Sequence, residues 1–376
     1  MPAETRNKIG LILSGGGARA AYQVGVLRAI AEVLPKDAAN PFHIICGTSA
    51  GALNAVSLAT HAHRLRTGVR SLEYVWKNLH SGQVYRLDST GIIARASGWM
   101  LSTFSTRKAD APVSLLDNEP LSELLSRVIK FDRIQRNIDT GFLDGVSVTS
   151  SNYTTGESVS FYQAIKGIGN WQGPHRVGLR SKLTLSHLMA SSAIPTMFPA
   201  VNIGEHYFGD GAIRQLAPTS TPIHMGARRI CAIGVAGHRS PRPTDPEALA
   251  NPSLSQIIGH ILNSAFVDTL ENDLEFLRHM NEVLPHVPRR ILRKENIRHR
   301  EVELLEIAPS KDLPTIATEH FSELPKAMRF FIKEASSGTL LSLLLFEPGY
   351  CQTLMQLGYE DAMAQEEKIR YFFRET

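Results

Sequence analysis

The stretch Gly47-Thr48-Ser49-Ala50-Gly51 follows five residues with the pattern of a buried strand, Phe42 to Cys46. The small residues after it, Ala50 to Leu53, read as the start of a helix. A strand that reverses sharply into a helix forces its corner residue into a strained backbone conformation, and glycines on both flanks remove the Cβ clashes that would forbid it. Ser49 then stands clear of the chain at a helix N-terminus. Unpaired amides and the helix dipole there favour the negative charge that develops when a hydroxyl attacks a carbonyl. The chemistry on offer is nucleophilic acyl transfer. Taken alone, the same residues also describe a tight turn that happens to hold a serine.

Two other stretches carry chemistry. Gly15-Gly16-Gly17-Ala18-Arg19 ends the strand-like run Lys8 to Ser14. The amides of Gly16, Gly17 and Ala18, free of bulky side chains, suit a tetrahedral oxyanion, at about 3 kcal/mol of barrier per donor. Arg19 has three readings: it steadies the loop, meets a phosphate, or is a solvated arginine at a helix start. Further on, the short aromatic run His206-Tyr207-Phe208 delivers Asp210 between Gly209 and Gly211. By itself an Asp-Gly pair is a turn signal. Gly15-x-Gly17-x-x-Ala20 also fits the dinucleotide-binding fingerprint, which requires an acidic residue at the end of the second strand. That strand ends Ile45-Cys46-Gly47-Thr48-Ser49, so a candidate nucleophile stands where the acid belongs.

The elements that must position these residues alternate. After the first glycine loop, Ala20 to Leu34 has Val24, Leu27, Ala31 and Leu34 at helical spacing; then come the second strand, the elbow and another helix. This order predicts an α/β fold with a mainly parallel central sheet. Helices continue to about Leu79, with Tyr74 and Trp76 packing. From Ser81 to Asp117 the patterning weakens, and the segment reads as an insertion over the active-site edge, either a lid or an ordinary packed excursion. Pro120 fits the first turn of a helix through Leu125 to Ile129. Val146 to Asn152 and Ser158 to Tyr162 flank a turn at Thr154 to Glu157. Leu183 to Ser192 reads as a helix and Arg229 to Val235 as a strand.

The expected organisation is a catalytic domain over 8–236, a Pro- and Ser-rich linker over 237–252, and a mainly helical C-terminal region over 253–376 with one strand near 302–308. In that region Ile257, Ile258, Ile261, Ala265 and Leu277 form the expected core-facing stripe. The basic run Arg289 to Lys294 reads as a solvated loop, with an anionic membrane surface as the functional alternative.

Composition bounds the function. The 376 residues are 43% hydrophobic and 20% charged, and Lys plus Arg number 40 against 36 Asp plus Glu. That excess of four is too small to argue for nucleic acid, and no nucleic-acid partner is expected. No secretion signal is read, and the densest apolar run, Leu340 to Phe346, falls far short of the roughly 20 residues of a membrane span. Cys46, Cys231 and Cys351 are widely spaced and read as reduced core thiols. A soluble or peripheral cytoplasmic protein is expected, without metal or organic cofactor.

As a set, the glycine loop Gly15 to Arg19, the elbow Gly47 to Gly51 and Asp210-Gly211-Ala212 resemble the motifs of bacterial patatin-like phospholipases. Ala190-Ser191-Ser192-Ala193-Ile194-Pro195 is similar to the stretch before the aspartate in that family, and the resemblance covers roughly Lys8 to Val235. Ala20 stands where the family often has glycine. The resemblance implies a three-layer α/β/α fold and a Ser49-Asp210 catalytic dyad, in which Asp210 takes the serine proton and later activates water. It also implies Gly15, Gly16, Gly17, Ala18 and Arg19 as oxyanion or substrate-binding loop, with Gly47, Gly51 and Gly211 shaping elbow and turn. The substrate would be a phospholipid, lysophospholipid or other lipid ester, with peripheral membrane contact. Because an ordinary aspartate titrates near pH 4, far below a serine hydroxyl, such a site must shield Asp210. Two rivals are a Ser-His-Asp esterase, with His187, His206 or His224 as base, and a non-catalytic lipid-binding or regulatory protein of the same fold.

Overall fold

The computed structural model describes residues 7–86, 114–236, 254–295, 300–326, 328–329 and 338–374. Its strands are β1 (Ile9–Leu13), β2 (Ile44–Thr48), β3 (Gly145–Asn152), β4 (Ser158–Ala164), β5 (Trp171–Gly173), β6 (Arg176–Arg180), β7 (Val201–Ile203), β8 (His206–Asp210), β9 (Arg229–Ile233) and β10 (Glu303–Ile307). The helices that matter for the site are α1 (Ala21–Val33), α2 (Ala50–Ala59), α3 (Leu65–Lys77), α4 (Glu119–Val128), α5 (Leu185–Ser191), α6 (Ser220–His224), α7 (Leu254–Asn263), α8 (Thr269–Val283), α9 (Gly338–Leu344) and α10 (Pro348–Met363).

Short, continuously apolar runs suit strands covered on both faces, and β1, β2 and β9 are buried along their whole length. The sheet order is β10-β9-β1-β2-β3-β4-β6-β5. From β10 to β3 neighbouring strands are parallel. Alternate residues face opposite layers, as the two-residue repeat of a strand requires. Ile9, Leu11, Leu13, Ile45, Val146, Val148 and Ile233 pack with α1, α2, α3, α9 and α10. Ile12, Ile44, Cys46 and Ala232 pack with Leu270, Leu274 and Leu277 of α8 on the other side. The result is the expected three-layer α/β/α arrangement.

One departure from parallel pairing decides the site. β2 pairs along β3 as far as Thr48 and Thr149 and then turns away into α2. β8 takes up the vacated edge of β3 antiparallel, with Asp210 opposite Ser150, Gly209 opposite Ser151 and Phe208 opposite Asn152. β2 and β8 therefore meet end to end along one side of β3. The carboxyl end of β8 runs head-on into the elbow.

The C-terminal region completes the same body. β10 extends the sheet in parallel beside β9, and α10 lies along α1. Two glycines permit that approach: a Cβ on Gly25 would strike the carbonyl of Met355, and one on Gly358 the carbonyl of Tyr22.

Several expectations change. The turn into α1 begins with a 3₁₀ segment, Gly17–Ala20, before regular helix. Tyr74 is exposed while Trp76 is buried. Ile257 and Ile261 are exposed, and the buried stripe is Leu262, Phe266, Leu270, Leu274 and Leu277. A π turn at Ser264–Asp268 lies within that stretch, and its wider winding rotates the faces away from a simple 3.6-residue extrapolation. Arg289–Lys294 is a helix rather than a loop. A helix at Asp132–Asp139 and the short strands β5, β6 and β7 carry too few apolar residues to show in the sequence. Most of the expected insertion at 81–117, and all of the linker at 237–252, lie outside the described residues.

Candidate active site

Ser49 sits at φ 53° and ψ −131°, the left-handed side of backbone space that a non-glycine residue adopts only under constraint. Its neighbours explain how. A Cβ on Gly51 would run into the carbonyl oxygens of Leu13 and Ser14, and one on Gly47 would meet Gly51 and Ala52. The elbow is thus pressed against the end of β1, and only glycine fits at either flank. The Ser49 N–H donates to Ser191 Oγ at 2.9 Å, and the Ser191 hydroxyl donates to the carbonyl of Thr149 at 2.6 Å.

The Ser49 hydroxyl donates to Asp210 Oδ2 at 2.6 Å. The other carboxylate oxygen accepts the Ala212 N–H at 2.9 Å. Asp210 N–H donates to the carbonyl of Ala193 at 2.9 Å, and Ser151 Oγ donates to the Asp210 carbonyl at 2.8 Å. Asp210 is fully buried, and that burial raises its carboxyl from the ordinary aspartate range to about 7, against the opposing pull of the Ser49 and Ala212 hydrogen bonds. Gly211 lies so close to β3 that a Cβ would strike the Thr149 carbonyl. The loop beyond it carries Gln215, whose Oε1 accepts from Thr48 Oγ1 at 2.5 Å.

The glycine loop abuts the serine. A Cβ on Gly15 would lie 3.1 Å from Ser49 Cβ and 2.8 Å from the Phe266 ring, and Gly16 packs on Val235. Gly17, at φ +55°, has the Leu343 carbonyl where a Cβ would go, so both conformation and space exclude a side chain. Gly17 and Ala18 open the 3₁₀ turn and Ala50 opens α2; first-turn amides of this kind have no acceptor within their own helix. Arg19 N–H donates back to Gly16 O at 3.1 Å. The Arg19 side chain is buried, with its guanidinium on Ser342, Asn263 and Thr339, which rules out the solvated reading.

Ser49, Ala50 and Gly17 form one end of a pocket of about 720 Å³, part of it open to solvent. Leu53, Asn54 and Ser57 follow Ala50 along one face of α2; Leu72, Val75 and Trp76 come from α3, Leu121 and Leu125 from α4, and Phe346 from the C-terminal region. The polar atoms of Asn54 are occupied: its amide accepts from Trp76 Nε1 at 2.8 Å and donates to Ala20 O and Gln23 Oε1. The walls are therefore apolar in effect, suited to an alkyl chain.

The candidate histidines serve elsewhere. His187 caps α5 through Thr184 and packs edge-on to Phe161, and burial lowers its imidazole to about 4. His224 stacks on Trp171, and His206 opens β8, beside Phe208. Among the described residues, Asp210 is the side-chain partner of the Ser49 hydroxyl. Sequence reasoning did not single out Gln215, and it noted Ser191 and Ala193 only as part of a similar stretch. Their work is done through one hydroxyl, one amide and one carbonyl that only the fold brings to the site.

The patatin-like phospholipase family model matches residues 11–223, more than half of the chain. A cGAMP-activated phospholipase of Pseudomonas aeruginosa is 28% identical over 221 residues, 57% of this chain and 55% of that protein. Patatin-like phospholipase domain-containing protein 7 of Mus musculus is 41% identical over 70 residues, 19% of this chain and 5% of that protein. The chain thus spans 55% of the length of the first of these relatives and 5% of the second. The solved structure of VipD from Legionella pneumophila aligns with a TM-score of 0.39 at 14% identity, covering 96% of this chain and 67% of that one. Three motifs in order, the three-layer sheet that carries them and the matched model agree, and the chain belongs to the patatin-like phospholipase family.

Proposed function

We propose that the protein hydrolyses carboxylic esters of lipids, as a phospholipase A or lysophospholipase, with Ser49 and Asp210 as its catalytic pair. The observation that carries this reading is the 2.6 Å hydrogen bond to a buried carboxylate from the hydroxyl of Ser49, a residue that lines an apolar pocket. Ser49 Oγ attacks the ester carbonyl carbon while its proton passes to Asp210 Oδ2. The carbonyl oxygen becomes an oxyanion beside the amides of Gly16, Gly17 and Ala18. The intermediate collapses as the C–O bond to the leaving alcohol breaks, and Asp210 returns the proton to that alcohol. Water then attacks the acyl-serine, Asp210 takes its proton, and release of the fatty acid restores the Ser49 hydroxyl. An aspartate held near 7 is a far better partner for this shuttle than one near 4.

Among the described residues no helix is long and apolar enough to cross a membrane. Of the pocket lining, Leu53, Val75 and Leu124 are half-buried and Val128 is exposed, so apolar surface of the pocket reaches solvent. This favours an enzyme that meets its substrate at a membrane surface. The three free, buried thiols accord with the cytoplasmic side. The test is fatty-acid release from mixed phospholipid and lysophospholipid vesicles by the natural protein and by Ser49→Ala, run with and without a cyclic dinucleotide because one relative is named for such activation. Release that disappears in the variant supports a serine lipid hydrolase. Equal release from both, or none from either under every condition, overturns it.

A further inference from the structure

The family match ends at residue 223, yet residues beyond it hold the glycine loop. Arg19 is the third residue of the 3₁₀ turn and is 2% exposed. Its Nε donates to Ser342 Oγ at 2.9 Å, Nη1 to Asn263 Oδ1 at 3.1 Å, and Nη2 to the Thr339 carbonyl at 3.4 Å. The Ser342 hydroxyl is itself oriented, because it donates to Thr339 O at 2.7 Å and so presents a lone pair to Arg19. Asn263 ends α7 where the π turn begins. Three residues on, Phe266 packs against Gly15, and from α9 the Leu343 carbonyl covers Gly17. The loop is gripped from two C-terminal elements at Gly15, Gly17 and Arg19.

All three Arg19 acceptors are neutral. A buried guanidinium is costly unless its donors are satisfied, and its planar fork satisfies them in one orientation only. Such an arrangement fixes direction. Oxyanion donors in turn depend on direction, because they act only when aimed at the place where charge develops.

We propose that Asn263 and Ser342 are positioning residues for acyl transfer: through Arg19 they aim the amides of Gly16, Gly17 and Ala18 at the oxyanion, which makes the C-terminal region part of the catalytic device. Arg19 in this protein is an anchor for the loop and not a ligand for substrate phosphate. The inference rests on the hydrolase reading above.

The experiment uses the full chain and the variants Asn263→Leu, which keeps volume and removes the acceptor, and Ser342→Ala, with Asn263→Asp and Ser342→Thr as conservative counterparts. Two quantities are read: kcat and KM on a soluble p-nitrophenyl ester, and the rate of inactivation by an alkyl fluorophosphonate. In the second reaction Ser49 Oγ bonds to phosphorus, the P–F bond breaks with loss of fluoride, and the serine proton goes to Asp210; the phosphoryl oxygen occupies the oxyanion position. The expected result is that kcat and the inactivation rate fall together by roughly tenfold or more in Asn263→Leu and Ser342→Ala, with KM nearly unchanged, because a misplacement of about 1 Å suffices for such losses. Asn263→Asp and Ser342→Thr restore both. Folded variants that keep the natural kcat, or that raise KM alone, overturn the inference while leaving the hydrolase reading intact. If an acceptor-deleting variant does not fold, its conservative counterpart decides: a folded counterpart with normal KM and lost kcat overturns the inference, and one with normal kcat supports it. A natural protein that is folded but inert to both reagents sinks the hydrolase reading, and this inference with it.

Discussion

Asp210 lies 161 positions after Ser49 in the chain and accepts its hydroxyl proton at 2.6 Å, because β8 enters the sheet antiparallel along the edge of β3 that β2 abandons. Two strand ends pointed at each other bring the Ser49 hydroxyl and the Asp210 carboxylate into direct contact. The pair stands or falls as a unit.

Asp210→Asn is therefore expected to lower turnover by about 10²–10⁴-fold, the range lost with a general base, and to approach the loss in Ser49→Ala. Steady-state hydrolysis of a soluble ester checks this. Activity of the Asn variant within a factor of a few of the natural protein would point to a different base.

The pH dependence follows from the raised carboxyl. Asp210 works as a base only when ionised, so kcat/KM should rise with pH to a plateau, half-maximal near the value of about 7 to which burial brings it. A profile already flat above pH 5 would contradict this.

Stability carries the opposite sign. With the folded-state carboxyl raised from 3.8 to about 7, the folded protein binds the proton more tightly than the unfolded chain. Its contribution is complete below 3.8 and is lost as pH rises through about 7, at roughly 1.4 kcal/mol per pH unit across that window. Asp210→Asn lacks this titration. Denaturant unfolding between pH 5 and pH 8 should show the natural protein losing stability relative to the variant, and parallel curves would refute the assignment.

Chain-length preference should reside in α2. Ser57 lies two turns beyond Ser49 on the pocket face, about 12 Å at 1.5 Å per residue, enough for an extended chain of roughly ten carbons. Ser57→Phe fills that end. Since each displaced methylene is worth about 0.8 kcal/mol, kcat/KM for long acyl esters should drop by about tenfold or more while short esters are unaffected. Equal loss on butyryl and palmitoyl esters would show that the chain lies elsewhere.

Ser191→Ala removes the hydroxyl that accepts from the Ser49 N–H and donates to the Thr149 carbonyl. Leaving the buried Ser49 N–H without its acceptor should cost about 1–3 kcal/mol, read as a lower urea midpoint at unchanged slope. No change in midpoint would mean that water replaces the hydroxyl without loss.

Much of this was written in local pattern. The continuous apolar runs of β1, β2 and β9, the glycines beside Ser49 and the alternation of strand and helix depend on neighbours within a few residues, so spacing alone revealed them. Ile257, Ile261 and Leu277 do not share one face, because Ile257 and Ile261 lie on the exposed side of α7 and the π turn between them and Leu277 breaks the helical register without any composition of its own. Tyr74 faces solvent while Trp76 is buried, and the sequence does not separate them because an aromatic residue on an amphipathic helix is consistent with either face until the partner is known.

The sequence by itself determined which groups are available: a serine forced out at a corner, a side-chain-free amide loop, and an aspartate freed by glycines. Only the tertiary structure decided what they do together. It set β8 antiparallel against β3, dried Asp210 until its carboxyl rose to about 7, and turned Arg19 away from solvent onto Asn263 and Ser342. Strand direction, burial and long-range hydrogen bonds depend on residues tens to hundreds of positions apart. A motif records the atoms, but the distances between them are a property of the packed chain.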